Sequence, residues 1–227
     1  AVELVRFFDV NKERTFNNSG VSSVINLYRG GLNTEVYNYG VDDICKEDSE
    51  GCAYYKFDYD DKGNIAVVAC YNKIEQLKAQ NNQNYAILER EYNDYGQQSF
   101  ERYYDATATP YSTIRFEYDE VGNTTKIIWL NGDETEWVIG SEGYAAVEID
   151  YNARRNAIEK RYYGVDHQPM VYNGAVREEN VFNNLNQCVE SKYFDQNNNI
   201  IRIERYTFDD KGNLIEIEYF DGQERAY

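Results

Sequence analysis

Proline is nearly absent, with 2 in 227 residues, and this excludes a Pro-rich linker or disordered tail. Histidine occurs once, as His167 in "VDHQP", with no serine or cysteine nucleophile motif around it. Ser-His-Asp and Cys-His chemistry both need that imidazole, so the reading is non-catalytic. No apolar run approaches the roughly 20 residues of a membrane helix, which excludes membrane insertion of this segment. The start, "AVELVRFFDV", has neither the charged region nor the long apolar core of a signal peptide. Helical composition is confined to "NKIEQLKAQ" (Asn72 to Gln80), where a short helix is weighed. The sister connector "NGDETEWVI" argues against it. Gly30-Gly31 in "YRGGLN" leads to no helix, so it cradles no phosphate. Basic residues are outnumbered, 23 against 40 acidic, for a net charge of -17. Such a chain repels phosphate backbones, which excludes nucleic acid and anionic membrane as partners.

Cysteine is also sparse. Four do not make a disulfide scaffold, and their spacing is no zinc signature. Cys45 and Cys52 in "CKEDSEGC" are the candidate bridge, closing a small loop, or else plain surface and core positions. Cys70 and Cys188 have no obvious local partner.

What is present in excess is tyrosine, 23 of them, beside 10 Phe and 2 Trp. Aromatic and β-branched residues at this density favour strands. The chain is 42% hydrophobic, with a mean hydropathy of -0.77, thin for one large core.

One motif is written seven times. "FDYDDKGN", "FEYDEVGN" and "YTFDDKGN" share an aromatic anchor before the turn. The anchors are Tyr59, Tyr92, Tyr118, Tyr151, Phe182 and Phe208, with a weaker one at Tyr28. Twelve residues after each strong anchor stands another large side chain: Tyr71, Tyr104, Leu130, Tyr163, Phe194 or Phe220. Eight residues before an anchor stand Gly20, Gly51, Gly143 and Gly174, with Asn84 substituting. Three registers kept at once define a repeat over residues 1–227, read as a single array. Anchor spacings run 31, 33, 26, 33, 31 and 26, so every third connector is short.

Within the motif, aspartate leads, two residues follow and glycine closes. This is a type I turn in which Asp caps backbone amides and glycine takes the left-handed position, a common hairpin connection. Flanking segments alternate with period two: in "AAVEIDY", Ala145, Val147, Ile149 and Tyr151 share one face. The predicted fold is all-β: tandem antiparallel β-hairpin repeats forming an elongated, solenoid-like or meandering twisted sheet.

Metal binding at the turn is disfavoured. "DYDDKGN" superficially opens like a calcium loop, but Lys62, Val121 and Lys211 occupy the slot of the third ligand. No metal and no cofactor is expected. Consecutive aromatics on the hairpin's second strand point to opposite faces, so Tyr103, Trp129, Tyr162, Tyr193 and Tyr219 form a ladder. That ladder is either a second buried face or an exposed platform suited to sugar rings or peptides.

At "YDDKGN", "YDEVGN" and "FDDKGN" the chain resembles the YD-repeat (RHS-like) family of bacterial surface and secreted proteins. The frames "ERYYD...TP", "KRYYGVDHQP" and "EGYAAVEIDYN" look like tandem hairpin repeats of large bacterial surface proteins. Glycine is lost in "YNARRN", "FNNLNQ" and "FDQNNN", a departure from the family's turn. The resemblance implies stacked hairpins, an extracellular or cell-surface bacterial setting, and no catalysis in the repeats. The function expected is a spacer or a carbohydrate- or protein-binding surface. Alternatives are a shell around another part of the same polypeptide, or an acidic-cleft glycoside-acting enzyme. "RFFD" reads as the second strand of a hairpin whose first is absent, and no closing cap follows "YFDGQ", so a piece of a longer array is expected.

Overall fold

In the computed structural model, which describes residues 1–226, the protein is all-β, with no helix among the described residues. Fifteen antiparallel strands follow in chain order in one sheet that is not closed into a barrel. After β1 (Val2–Arg6) they form hairpins: β2 (Ser23–Arg29) with β3 (Leu32–Tyr39), β4 (Tyr54–Tyr59) with β5 (Ile65–Tyr71), and β6 (Ile87–Tyr92) with β7 (Gln98–Tyr104). Then come β8 (Pro110–Tyr118) and β9 (Thr124–Asn131), β10 (Ala146–Tyr151) and β11 (Ala157–Tyr163), β12 (Arg177–Phe182) and β13 (Cys188–Phe194), and β14 (Ile200–Phe208) and β15 (Leu214–Asp221). The chain divides into two compact units, Ala1–Thr113 and a second that begins at Ile114.

The aromatic anchors are where first strands stop. Tyr59, Tyr92, Tyr118, Tyr151, Phe182 and Phe208 are each the last residue of their strand. The pairing slips by one residue at Asp58/Tyr59, Glu91/Tyr92, Asp150/Tyr151, Val181/Phe182 and Thr207/Phe208. This is the bulge that accompanies a type I turn closed by a left-handed residue. In the Asp60 turn, Oδ1 accepts from the amides of Lys62 at 3.0 Å and Asn64 at 2.8 Å, and Gly63 has φ 88°. Where glycine is missing the backbone does not change. Arg155, Asn186 and Asn198 hold φ 64°, 61° and 64° in the same slot. An arginine there bears a steric cost that glycine avoids. Arg155→Gly is therefore expected to stabilise the second unit by about 0.5–1 kcal/mol, read as a rise in its urea midpoint.

The same turn recurs in the connectors, and this explains their two lengths. In the short ones, the Asp105 turn closes at Ala108 (φ 60°) and the Asp195 turn at Asn198 (φ 64°), and the next strand follows at once. Those following strands, β8 and β14, are nine residues long. In the long connectors this turn carries a single bridge, such as Tyr71↔Leu77, Leu130↔Trp137 or Tyr163↔Pro169. A second turn then closes at the glycine column, where Gly51, Gly143 and Gly174 have φ 79°, 95° and 86° and Asn84 62°. The helix considered at Asn72 to Gln80 is such a connector. Asn72 Oδ1 accepts from the amides of Ile74 and Gln76, each at 3.0 Å, and Glu75 takes φ 61°, which no helix interior tolerates. Gly30 and Gly31, at φ 58° and 87°, form a two-residue hairpin turn between Arg29 and Leu32.

Neighbouring hairpins are latched by the anchors. Tyr59 donates its hydroxyl to the Asn33 carbonyl at 2.6 Å, Tyr92 to Ile65 at 3.0 Å and Tyr151 to Thr124 at 2.9 Å. The repeated tyrosine is thus both a strand terminator and a clip onto the preceding turn.

Candidate functional site

The aromatic column is built by strand alternation, so its members share a face within each unit. In the second unit Trp129, Tyr162, Tyr193 and Tyr219 occupy it, on β9, β11, β13 and β15. Trp129 and Tyr162 are each 7% exposed and share a core cluster with Val147. Tyr144 meets the Trp129 ring edge-on at 5.1 Å, and Tyr172 lies 4.7 Å from Tyr162. A Cβ added to Gly140 would fall 2.4 Å from the Trp129 ring, so that connector lies directly on the indole. These two rings present no open platform to a ligand. Burial removes water from the Tyr162 hydroxyl and pushes its pKa well above the ordinary tyrosine value, with nearby Glu178 adding to the shift.

Farther along the same face the column opens. Tyr193 is half-buried, with the Arg202 guanidinium 3.8 Å from its ring centroid. Its hydroxyl donates to Glu204 Oε2 at 3.2 Å, and Tyr206 donates to the same oxygen at 2.6 Å. Tyr219 is 42% exposed. In the first unit Tyr103 is half-buried, tilted against Tyr85 at 5.4 Å, and donates to Glu101 at 2.6 Å.

The structure corrects the cysteine pairing: Cys52 is bonded to Cys70, with Cα atoms 5.5 Å apart, while Cys45 and Cys188 are free thiols. Cys45 stands at the bridge with Tyr39, and Cys52 begins the approach to the next strand, facing Cys70 across the hairpin. The signal for this lay in the repeat itself. Seven residues before and eleven after the anchor stand Tyr85 and Tyr103, then Tyr144 and Tyr162, which touch as ring pairs at 5.4 and 5.1 Å. Around Tyr59 the same two positions are Cys52 and Cys70. The disulfide takes the place of a tilted ring pair. Sequence reasoning also missed a stack on the opposite face of the first unit, Tyr37–Tyr54–Tyr71, with centroids 5.0 and 4.7 Å apart and Lys56 over its rings.

The acidic turns are chemically closed. Asn64 donates its side-chain amide to Asp60 Oδ2 at 2.8 Å, as Asn123 does to Asp119 at 2.7 Å and Asn213 to Asp209 at 2.8 Å. With backbone amides on Oδ1, both carboxylate oxygens are engaged. Among the described residues no group of three or more His, Cys, Asp or Glu is placed to hold a metal. These amides hold the three aspartates below the usual carboxylate range. A depressed folded pKa means stability that is present above the unfolded value of about 4 and lost as pH falls through the folded one. The urea midpoint is expected to be flat between about pH 7 and 5 and to drop below about pH 4. The triple variant Asp60→Asn/Asp119→Asn/Asp209→Asn should weaken that drop while keeping the turn. Asn152 already plays the role in a sister repeat, accepting from Arg154 at 2.9 Å and Asn156 at 3.1 Å.

No family model matches the chain, and no curated protein does. Among solved structures, the chain is similar to one described as TcdB2-TccC3-TEV, with a TM-score of 0.56 and 13% identity over 93% of this chain. Two others, described as TcdB2-TccC3-Cdc42 and as TcdB2-TccC3 without its hypervariable C-terminal region, align with TM-scores of 0.40 and 0.39 at 12% and 13% identity. The first likeness is one of fold. The chain spans only 10%, 12% and 11% of the three chains it matches.

Proposed function

We propose that this chain is a non-catalytic segment of a larger bacterial secreted or cell-surface protein, a run of YD-repeat-like hairpins serving as structural wall. The observation that carries this reading is that the repeats spend the same positions on local tasks. The Asp or Asn of the turn caps its own loop, the anchor hydroxyl of Tyr59, Tyr92 and Tyr151 clips the preceding hairpin, and the ring column fills the core at Trp129 and Tyr162. The fold likeness supports it, since an array of this length there makes up a tenth of one chain. The Cys52–Cys70 bridge supports an oxidising, extracytoplasmic compartment, because cytosolic reductants keep such thiols apart.

A wall of this kind serves as spacer between domains or as shell around another part of the same polypeptide. The test is cryo-electron microscopy of the full-length gene product. Further hairpins in the same register on either side of this segment are the expected result. Glycoside hydrolysis by the purified chain, or a full-length product in which this segment continues into no further hairpins and neither separates nor encloses other parts of the polypeptide, would overturn the reading.

A further inference from the structure

One cross-strand pair in the second unit is smaller than its counterparts in the sister hairpins. Two residues before each anchor, the first strand faces the residue nine after it. That cross-strand pair is Phe57↔Val68, Arg90↔Glu101, Ile149↔Lys160 and Tyr206↔Ile217 in four hairpins. Between β12 and β13 it is Asn180↔Ser191, two small neutral polar residues in a column otherwise holding large side chains. Cys188, three residues before Ser191, is small as well. What is left is an open depression of about 370 Å³, lined in part by Tyr193, Tyr206, Phe182 and Phe208. Its volume lies within the range of small-molecule sites.

The floor is preset. Ser191 is 3% exposed and donates to Asn180 Oδ1 at 2.6 Å, and Asn180 Nδ2 donates to Glu178 Oε1 at 2.7 Å. Asn180 Nδ2 also reaches the Ala157 carbonyl at 3.4 Å, and the Cys188 thiol lies 3.8 Å from Asn180 Oδ1 and 3.6 Å from Ser191 Oγ, so the amide's orientation is fixed by partners within the floor. Lys160 stands opposite Glu178 on the rim, and its ammonium forms no hydrogen bond or ion pair among the described residues. Lys160 and Glu178 also line a second depression of about 380 Å³, beside Tyr144 and Tyr172.

We propose that the depression over Asn180 and Ser191 binds a neutral sugar ring of a glycan. Such a ring has an apolar C–H face for the aromatic side chains and a rim of hydroxyls for Glu178 and Lys160, with Ser191 at the floor. An aromatic or aliphatic peptide side chain would cover the Lys160 ammonium and the Glu178 carboxylate and offer them no hydrogen bond, at a cost in binding. An acidic sugar would enter against Glu178 and Glu204 in a chain of net charge -17. The inference goes beyond the structural role and stands or falls apart from it.

Cys188 lies in the lining of the depression and is a free thiol, so it reports occupancy, while Cys45 in the other unit is the internal control. The experiment measures iodoacetamide labelling of both cysteines with maltotriose, cellotriose or tri-N-acetylchitotriose, and with trigalacturonate as the acidic probe. At least one neutral sugar should slow Cys188 labelling about tenfold at ten times its Kd, leaving Cys45 unchanged. Asn180→Phe/Ser191→Val, which copies the Phe57/Val68 pair, should abolish binding with cooperative unfolding retained. Saturation-transfer NMR on the unmutated chain is the check that needs no variant, and should show transfer to the same neutral sugar. No protection and no transfer with any neutral sugar, protection by trigalacturonate alone, or binding that survives in the folded, filled variant would each overturn the proposal.

Discussion

Removal of the Cys52–Cys70 bridge, as Cys52→Ser/Cys70→Ser, is expected to cost the first unit about 3 kcal/mol, the entropy of freeing a loop of this size in the unfolded chain. The bonded residues are 18 apart in sequence, both fully buried at 0% exposure, so the serines also leave polar groups in an apolar site. Urea unfolding with and without reductant measures it: dithiothreitol should reproduce the loss in the unmutated chain and change nothing in the variant. Cys52→Tyr/Cys70→Tyr is the informative rescue, because the equivalent positions elsewhere hold Tyr85 with Tyr103 and Tyr144 with Tyr162 as ring pairs. Partial recovery relative to the serine pair is expected. A reductant-insensitive midpoint would show that the bridge does not hold this hairpin.

Trp129→Ala is expected to destabilise the second unit by about 3–5 kcal/mol, the usual cost of deleting a buried large aromatic. The indole is 7% exposed and touches Tyr144 at 5.1 Å, and its loss empties the space that Gly140 exists to leave open. Gly140→Ala attacks the same contact from the other side and should also destabilise. Tyr219→Ala, at a 42% exposed position of the same column, is expected to change stability by no more than about 0.5 kcal/mol. Denaturant midpoints of the three variants separate the core reading from the platform reading. Equal effects of Trp129→Ala and Tyr219→Ala would refute the burial gradient along the column.

Hairpins, turns and their register were legible because each is a local matter. Aspartate or asparagine at the turn start, a left-handed residue three later and an aromatic anchor all act within one repeat, and the backbone kept that form even where Arg155 or Asn186 replaced glycine. Two things were not legible from alternation. Period two says that Trp129, Tyr162, Tyr193 and Tyr219 share a face, and it does not say what covers them. The cover comes from connector residues such as Tyr144 and Tyr172, whose positions depend on the chain's path. The disulfide was misplaced because nearness in sequence favoured Cys45, while the repeat columns placed Cys52 and Cys70 where other hairpins put paired tyrosines. Helical composition in "NKIEQLKAQ" misled for a related reason. Asn72 caps a turn in which Glu75 must go left-handed, and tertiary register outweighs propensity.

Strand order has a mechanical consequence. Because every strand is hydrogen-bonded only to its neighbours in sequence, tension on the polypeptide peels strands off one after another instead of shearing many at once. Such a sheet yields at low force, in small steps, and re-zips locally when released. The Cys52–Cys70 bond is the exception: it withholds 18 residues, about 6 nm of contour length, from any extension. Under load the β4–β5 hairpin would thus stay a closed knot of fixed size while the others unravel.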